Sequence, residues 1–333
     1  MLLNKTNKTF IIAEIGNNHE GDFNLAKKMI SLAVDAGADA VKFQTFNLEL
    51  FVSFDLTERI KRLQSFKLSS DEFIKLSEYA KESNIDILDT AIGYGISEKC
   101  LGNAGVEDWK IITKLPKIPK KCKDINAWIN NEFSESIKRL KVRRIKGLML
   151  HQPIQLLENI GDKIWSTLHE LKQSGLVEKI GFSIYEPQEL EKLYADFQPD
   201  IIQAPFSILD QRLKTSGWLE KLHNEGVEVH VRSIFLQGLL LMKKEDRPEK
   251  FNRWSQIWQE WDDWLEEKKI SPLEASLGFV NSESMIDCSV VGVDSFEQLK
   301  EIISCSRVQI KDIPAEIITT DQKLVNPSNW NKL

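Results

Sequence analysis

The chain has 333 residues, with 50 acidic side chains against 44 basic ones and five histidines, so its formal net charge is -6 and its pI is near 5.6. That balance argues against nucleic acid as a partner, and 42% hydrophobic with 28% charged residues excludes a disordered or fibrous chain. No run approaches the ~18 apolar residues of a membrane span and the opening MLLNKTNKTF lacks a signal-peptide core, so a cytoplasmic protein with no membrane partner is expected.

In chain order, strands are predicted over Phe10–Ile15, Ala40–Phe46, Ile85–Ala91, Trp109–Leu115, Gly147–His151, Lys179–Ser183, Ile201–Pro205, Val227–Phe235 and Cys288–Val293. Most are apolar or β-branched on consecutive positions, the pattern of parallel strands buried on both faces. Amphipathic runs lie between them, such as Asn24–Ala36 and Ser70–Ser83, the second opened by a Ser-Ser-Asp-Glu cap. Regular strand–helix alternation means a parallel α/β fold, and this many units favour a (β/α)8 TIM-type barrel over an open sheet. Nine strands exceed the barrel by one, which implies an extra N-terminal βα unit. No Gly/Ser/Pro linker marks a boundary. Cys100, Cys122, Cys288 and Cys305 form no CxxC pair and read as reduced thiols without metal.

Residues at the carboxyl ends of barrel strands face the rim where chemistry occurs. Asp89 ends one such strand and Tyr94 follows it in a turn; Lys114 (IITKLP) and His151 (LMLHQP) end the next two. A phenol ordinarily titrates near pH 10, so a tyrosine serves as a general acid near neutrality only if its phenolate is stabilised. A buried lysine does this by proximity, and an aspartate keeps that lysine charged despite desolvation. A histidine can orient a carbonyl oxygen or share in proton delivery. Taken singly, Asp89 is a helix cap, Lys114 a surface charge and His151 a core residue. Four in register favour the chemical reading.

From about residue 85 to the C-terminus the chain resembles an aldo-keto reductase. The pattern DTAxxYGxSExxLG from Asp89 to Gly102 carries the likeness, with GFSIY around Ser183, IIQAPF around Gln203, VRSIFLQGLL from Val231 and VVGVDSFEQL from Val290. The resemblance implies a catalytic tetrad of Asp89, Tyr94, Lys114 and His151 using NADPH or NADH on a small carbonyl substrate. It also implies cofactor contacts from Ser183, Gln203, Arg232, Ser233, Phe235, Gly238, Gly292, Val293, Asp294, Ser295 and Gln298. No Gly-rich Rossmann loop is present, and the phosphates are expected near Ser233–Gly238 and Gly292–Ser295 on backbone amides and a helix N-terminus. Three positions depart from the family pattern. Ile184 replaces an Asn that holds the carboxamide of nicotinamide. Arg232 replaces an aromatic that stacks on the nicotinamide ring, and its planar guanidinium can stack instead. Asp294 replaces an arginine for the 2'-phosphate, which counts against NADPH.

The first ~88 residues resemble the sialic acid synthase family instead, through IIAEIGNNHEGDFNLAKKMISLAVDAGADAVKFQTF (Ile11–Phe46) and FKLSSDEFIKLSEYAKESNIDIL. Glu14, Asn18, His19, Lys42 and Gln44 match positions where that family binds substrate, and Lys42 and Gln44 alternate onto one face of their strand. The likeness stops near Leu88, and the two histidines that bind that family's divalent metal have no counterpart, so no metal is expected. The chain therefore reads as residues 1–88 from one barrel family joined to residues 85–333 of another in one composite domain. The surplus unit, Phe10–Ile15 with its helix, is expected to pack outside or beneath an eight-stranded ring.

Two further segments are ambiguous by composition. Phe251, Trp254, Trp258, Trp261 and Leu265 recur at helical spacing, which reads as packing against the barrel, with an aromatic lid as the functional alternative. The basic run Lys138–Lys146 reads as a solvated helix end. The function expected is nicotinamide-dependent interconversion of an aldehyde or ketone with its alcohol, on a carbonyl that is sugar-related if the N-terminal segment keeps its company. The alternatives are a synthase-like condensation of phosphoenolpyruvate with an amino sugar, or a non-catalytic fusion remnant.

Overall fold

The computed structural model describes residues 10–16, 23–35, 40–43, 87–103, 105–292, 301–302, 305 and 308–333. Among the described residues there are nine strands: β1 (Phe10–Gly16), β2 (Ala40–Phe43), β3 (Ile87–Asp89), β4 (Lys110–Leu115), β5 (Ile145–Leu150), β6 (Val177–Ser183), β7 (Ile201–Pro205), β8 (Glu228–Arg232) and β9 (Cys288–Gly292). The main helices are α1 (Phe23–Asp35), α2 (Ser97–Asn103), α3 (Ile125–Leu140), α4 (Gly161–Gln173), α5 (Gln188–Leu193), α6 (Arg212–Thr215), α7 (Trp218–Asn224), α8 (Ser255–Lys268) and α9 (Pro272–Asn281). The predicted helix over Ser70–Ser83 lies outside the described residues.

All nine strands form one sheet in the order β2-β1-β9-β8-β7-β6-β5-β4-β3, and every pair is parallel. The sheet curls until its end strands β2 and β3 approach each other, giving the α/β barrel-like architecture the alternation implies. Every residue of β5 and β7 is buried, as expected of strands covered on one side by helices and on the other by the barrel interior. Parallel strands put all their carboxyl ends at one mouth.

The placement of the surplus unit corrects the expectation. β1 does not lie outside or beneath the ring; it is paired within it, between β2 and β9, with Phe10–Glu14 opposite Cys288–Gly292. Among the described residues the curled sheet keeps all the reductase-like strands beside β1 and β2, nine in all, with β2 and β3 at its ends. The physical reason is local: inserted between β2 and β9, β1 pairs its own backbone groups on both sides, which a strand packed outside the sheet would leave without a ladder.

Register fixes which residues look inward. Ser183, Gln203, His230 and Cys288 are successive partners across β6 to β9, and Gln203 reaches the Asp89 carboxylate on β3, so this layer faces the interior. Deeper in the barrel the Glu228 carboxylate accepts from Lys179 at 2.5 Å and contacts His230 Nε2 at 2.7 Å, with Lys146 Nζ at 3.6 Å. Burial alone would raise the Glu228 pKa, but the His230 hydrogen bond and the charges of His230, Lys146 and Lys179 hold it well below the carboxylate range. Lys146 corrects a second expectation: it is a buried residue of β5 attracted to this carboxylate, not part of a solvated helix end. Lys138 and Arg139 do occupy the last turn of α3.

The tryptophan-rich segment packs as its spacing predicts. Phe251, Trp254, Trp258, Trp261 and Leu265 are all buried in the core, on a 3-10 turn over Glu249–Trp254 followed by α8. Trp264, which the spacing does not single out, is buried with them.

Candidate active site

Asp89 closes β3, Lys114 lies near the end of β4, and His151 directly follows β5, its amide donating to the Leu115 carbonyl at 3.0 Å. Between β3 and α2 the chain turns tightly, with Tyr94 N donating to Ala91 O and Ser97 N to Tyr94 O. Gly95 takes a left-handed φ of 61° in this turn, a conformation that costs a glycine nothing. Tyr94 is thereby carried over the ends of β4 and β5, 39% exposed at the mouth.

Beneath it, the Lys114 side chain is only 1% exposed and its Nζ donates to both Asp89 oxygens, at 2.8 and 2.9 Å, and to the Thr90 carbonyl at 3.1 Å. A charge this deep persists only with such partners. Gln203 Nε2 adds a longer bond to Asp89 at 3.3 Å. The Lys114 ammonium lies 5.9 Å from the Tyr94 ring centroid, and the His151 ring meets Tyr94 edge-on at 5.9 Å between centroids. The structure thus brings together all four residues that the strand ends point to.

Burial lowers the His151 pKa, the cations Lys114 and Arg232 lower it further, and Asp89 opposes them only in part. His151 is therefore neutral at pH 7, able to offer one ring N–H to an oxygen without adding charge.

The candidate cofactor residues extend from this corner around the mouth. Ser183 is buried at the end of β6, opposite Gln203. Arg232 ends β8, its guanidinium donating to the Ile184 carbonyl at 3.0 Å and to Ser233 Oγ at 3.4 Å, and stacked 4.8 Å from the centroid of the Tyr185 ring. After it the backbone enters the left-handed region at Ser233, Leu236, Gln237 and Gly238. Among the described residues the amides of Phe235, Gln237 and Gly238 have no protein acceptor. Successive unpaired amides in such a turn form a concavity that accepts anions, so the chain's own donor set fits the phosphates of a dinucleotide. Gly292 ends β9; Val293, Asp294, Ser295 and Gln298 lie outside the described residues.

Of the synthase-like residues, Glu14 in β1 stands opposite Lys42 of β2 on one side and Gly292 of β9 on the other. Asn18, His19 and Gln44 lie outside the described residues. Tyr185 is the residue that sequence reading misses: it stands in the quoted GFSIY string, yet nothing in the string shows that its ring would support Arg232.

A parallel barrel that gathers a phenol, an ammonium, a carboxylate and an imidazole at its carboxyl mouth, beside an anion-accepting turn, has the make-up of a barrel oxidoreductase. Residues 61–320 match the Aldo/keto reductase family, and the chain belongs to that family. Over 281 residues it is 24% identical to the NADH-specific methylglyoxal reductase of Escherichia coli, covering 72% of this chain and 84% of that protein. The solved holo form of an aldo-keto reductase from Bacillus halodurans shares the fold, with a TM-score of 0.56 and 23% identity over 78% of this chain and 89% of that one. The N-terminal region is similar to sialic acid synthases: the N,N'-diacetyllegionaminic acid synthase of Campylobacter jejuni is 36% identical over 133 residues. The match covers 35% of this chain and only 40% of that synthase.

Proposed function

We propose that this oxidoreductase reduces an aldehyde or ketone to its alcohol with NADH or NADPH, and that Asp89, Tyr94, Lys114 and His151 carry the reaction. The observation that carries this reading is the buried Lys114–Asp89 pair under Tyr94, with the neutral His151 ring against the same phenol. When bound, a reduced nicotinamide supplies the hydride for the carbonyl carbon. Tyr94 Oη gives its proton to the carbonyl oxygen, and the Lys114 ammonium favours the phenolate left behind. Asp89 keeps Lys114 charged and fixed. His151 donates an N–H to the same oxygen and so sets the face of the carbonyl presented to hydride.

The unpaired amides after Arg232 would take the cofactor phosphates, with Ser233, Phe235, Gly238 and, from β9 onward, Gly292, Val293, Asp294, Ser295 and Gln298. Ser183 and Gln203 would meet the carboxamide of nicotinamide. Asp294 favours NADH, because a carboxylate repels a 2'-phosphate. We further read the carbonyl as a small, sugar-related one, since the strands shared with the synthases end at the same mouth, with Glu14 beside both Lys42 and Gly292.

The test follows nicotinamide absorbance with a panel of aldehydes, including amino-sugar aldehydes, for the native chain and for Tyr94→Phe. Loss of the acid should slow turnover by about 10²–10⁴-fold. Equal rates for the two proteins would remove Tyr94 from the chemistry.

A further inference from the structure

We propose that Arg232 makes the site discriminate between the two redox forms of its cofactor, holding the neutral reduced ring and repelling the cationic oxidised one, so that the protein is biased toward carbonyl reduction. This rests on the redox reading above. It starts from an unusual cation. Arg232 is half-buried at the mouth, and among the described residues no carboxylate pairs with it. The two carboxylates whose charge reaches it are otherwise engaged. Asp210 forms a two-pronged pair with Arg212. Glu189 accepts from the amides of Tyr185 and Glu186 at 2.7 and 3.1 Å. Tyr185, Tyr94 and His151 are the other titratable groups in its field. Neutral His151 offers Arg232 no counter-charge.

Its position decides what meets that charge. The guanidinium lies close enough to Tyr94 and His151 for charge to act between them, and the turn with the unpaired amides follows it directly in sequence. A dinucleotide with its phosphates on those amides and its ring within reach of a carbonyl at Tyr94 must lay the ring alongside Arg232. A neutral dihydropyridine offers a π face that a planar guanidinium stacks on favourably. A pyridinium carries a full positive charge against a fixed one. Two like charges in contact near a protein surface change an equilibrium by about a hundredfold or more, which screening at the solvent-facing mouth reduces to about tenfold. Both redox forms carry the same pyrophosphate, so attraction between that group and Arg232 cancels from their ratio.

The experiment is equilibrium binding by tryptophan fluorescence quenching of NADH, NAD+ and ADP-ribose to the native chain, Arg232→Gln and Arg232→Lys, with the 2'-phosphorylated set in parallel. For the native chain NADH should bind at least about tenfold tighter than NAD+, and NAD+ no tighter than ADP-ribose, which lacks the ring. Arg232→Gln should reduce the NADH/NAD+ preference by about tenfold, and Arg232→Lys should keep most of it. A native chain that binds NAD+ well above ADP-ribose overturns the proposal without any variant. So does an unchanged ratio in Arg232→Gln, which would mark the arginine as a phosphate or packing residue. If none of the ligands binds, the redox reading itself has failed, and that result is told apart because there is then no ratio to compare.

Discussion

Lys114 is the residue on which the candidate site balances. Replacing it with Met keeps the side-chain volume but leaves the Asp89 carboxylate buried without the ammonium that donates to both of its oxygens. Orphaning one member of such a pair costs about 3–5 kcal/mol, so Lys114→Met should lower the urea midpoint sharply as well as abolish turnover. A midpoint within about 0.5 kcal/mol of native would mean that the pair is better solvated than its burial indicates. His151 makes a second prediction at this scale. Its pKa is lowered in the native state, chiefly by burial, so below about pH 6.5 the unfolded chain takes up the proton first. The corresponding stability is fully present above that pH and is lost as pH falls toward the folded value. Between pH 7.5 and 5.5 the native protein should therefore lose more stability than His151→Gln, and the His151 ring signal should titrate at lower pH than an exposed histidine by NMR. The four residues were legible in the sequence because Asp89, Lys114 and His151 stand at or beside strand ends and Tyr94 follows the first of them in a short turn. The partners that tune them, Gln203 on Asp89 and Arg232 acting on His151, come from strands far along the chain, and no local pattern shows those distances.

At the scale of elements, the Asp89–Gly102 string divides between chemistry and construction. Asp89 and Tyr94 face the mouth, but Ser97 bonds Thr90 Oγ1 at 3.0 Å and Glu98 ties three elements together. The Glu98 carboxylate, 2% exposed, accepts from Thr113 on β4 at 2.8 Å, from Ser136 on α3 at 2.6 Å, and from Arg139 on α3 at 2.7 and 2.9 Å. Gly102 lets α2 approach α3 so closely that a Cβ would stand 1.9 Å from the Arg139 carbonyl oxygen. Glu98→Ala strands two buried hydroxyls and should destabilise by about 3 kcal/mol. Gly102→Ala forces the helices apart at a cost of about 1–3 kcal/mol. Thermal melts should show both losses, with cofactor affinity near native at temperatures where the variants stay folded. A loss of affinity without a loss of stability would move Glu98 from the scaffold to the site. Strand and helix order was readable from the apolar periodicity, and so was the burial of the tryptophan face of α8. That one string serves both tasks was not, because spacing within a motif is silent about which positions face the mouth and which face the next helix.

For the whole molecule the decisive feature is that strands from the synthase-like and reductase-like segments share one curled, barrel-like sheet. Apolar runs tell that a strand is buried on both faces, but not which strands flank it. For that reason nine strands could be counted from the sequence while the position of the first could not. With β1 between β2 and β9, residues 10–14 give β9 a parallel ladder over its whole length, and removing that ladder exposes an unpaired edge containing Val290 and Val291. Unpaired apolar edges template association with other chains. A chain beginning at residue 44 should therefore be insoluble or aggregate on refolding, although it retains the whole constellation of Asp89, Tyr94, Lys114 and His151. Ile12→Pro is the sharper version of the test. Ile12 pairs with Ala40 on one side and Val290 on the other, so a proline there removes a ladder donor from an internal strand and should cost about 3 kcal/mol or more. If β1 were an appendage outside an eight-stranded ring, both changes would leave melting temperature and cofactor binding close to native. Size-exclusion chromatography of the truncated chain, together with a thermal melt of Ile12→Pro, separates these outcomes.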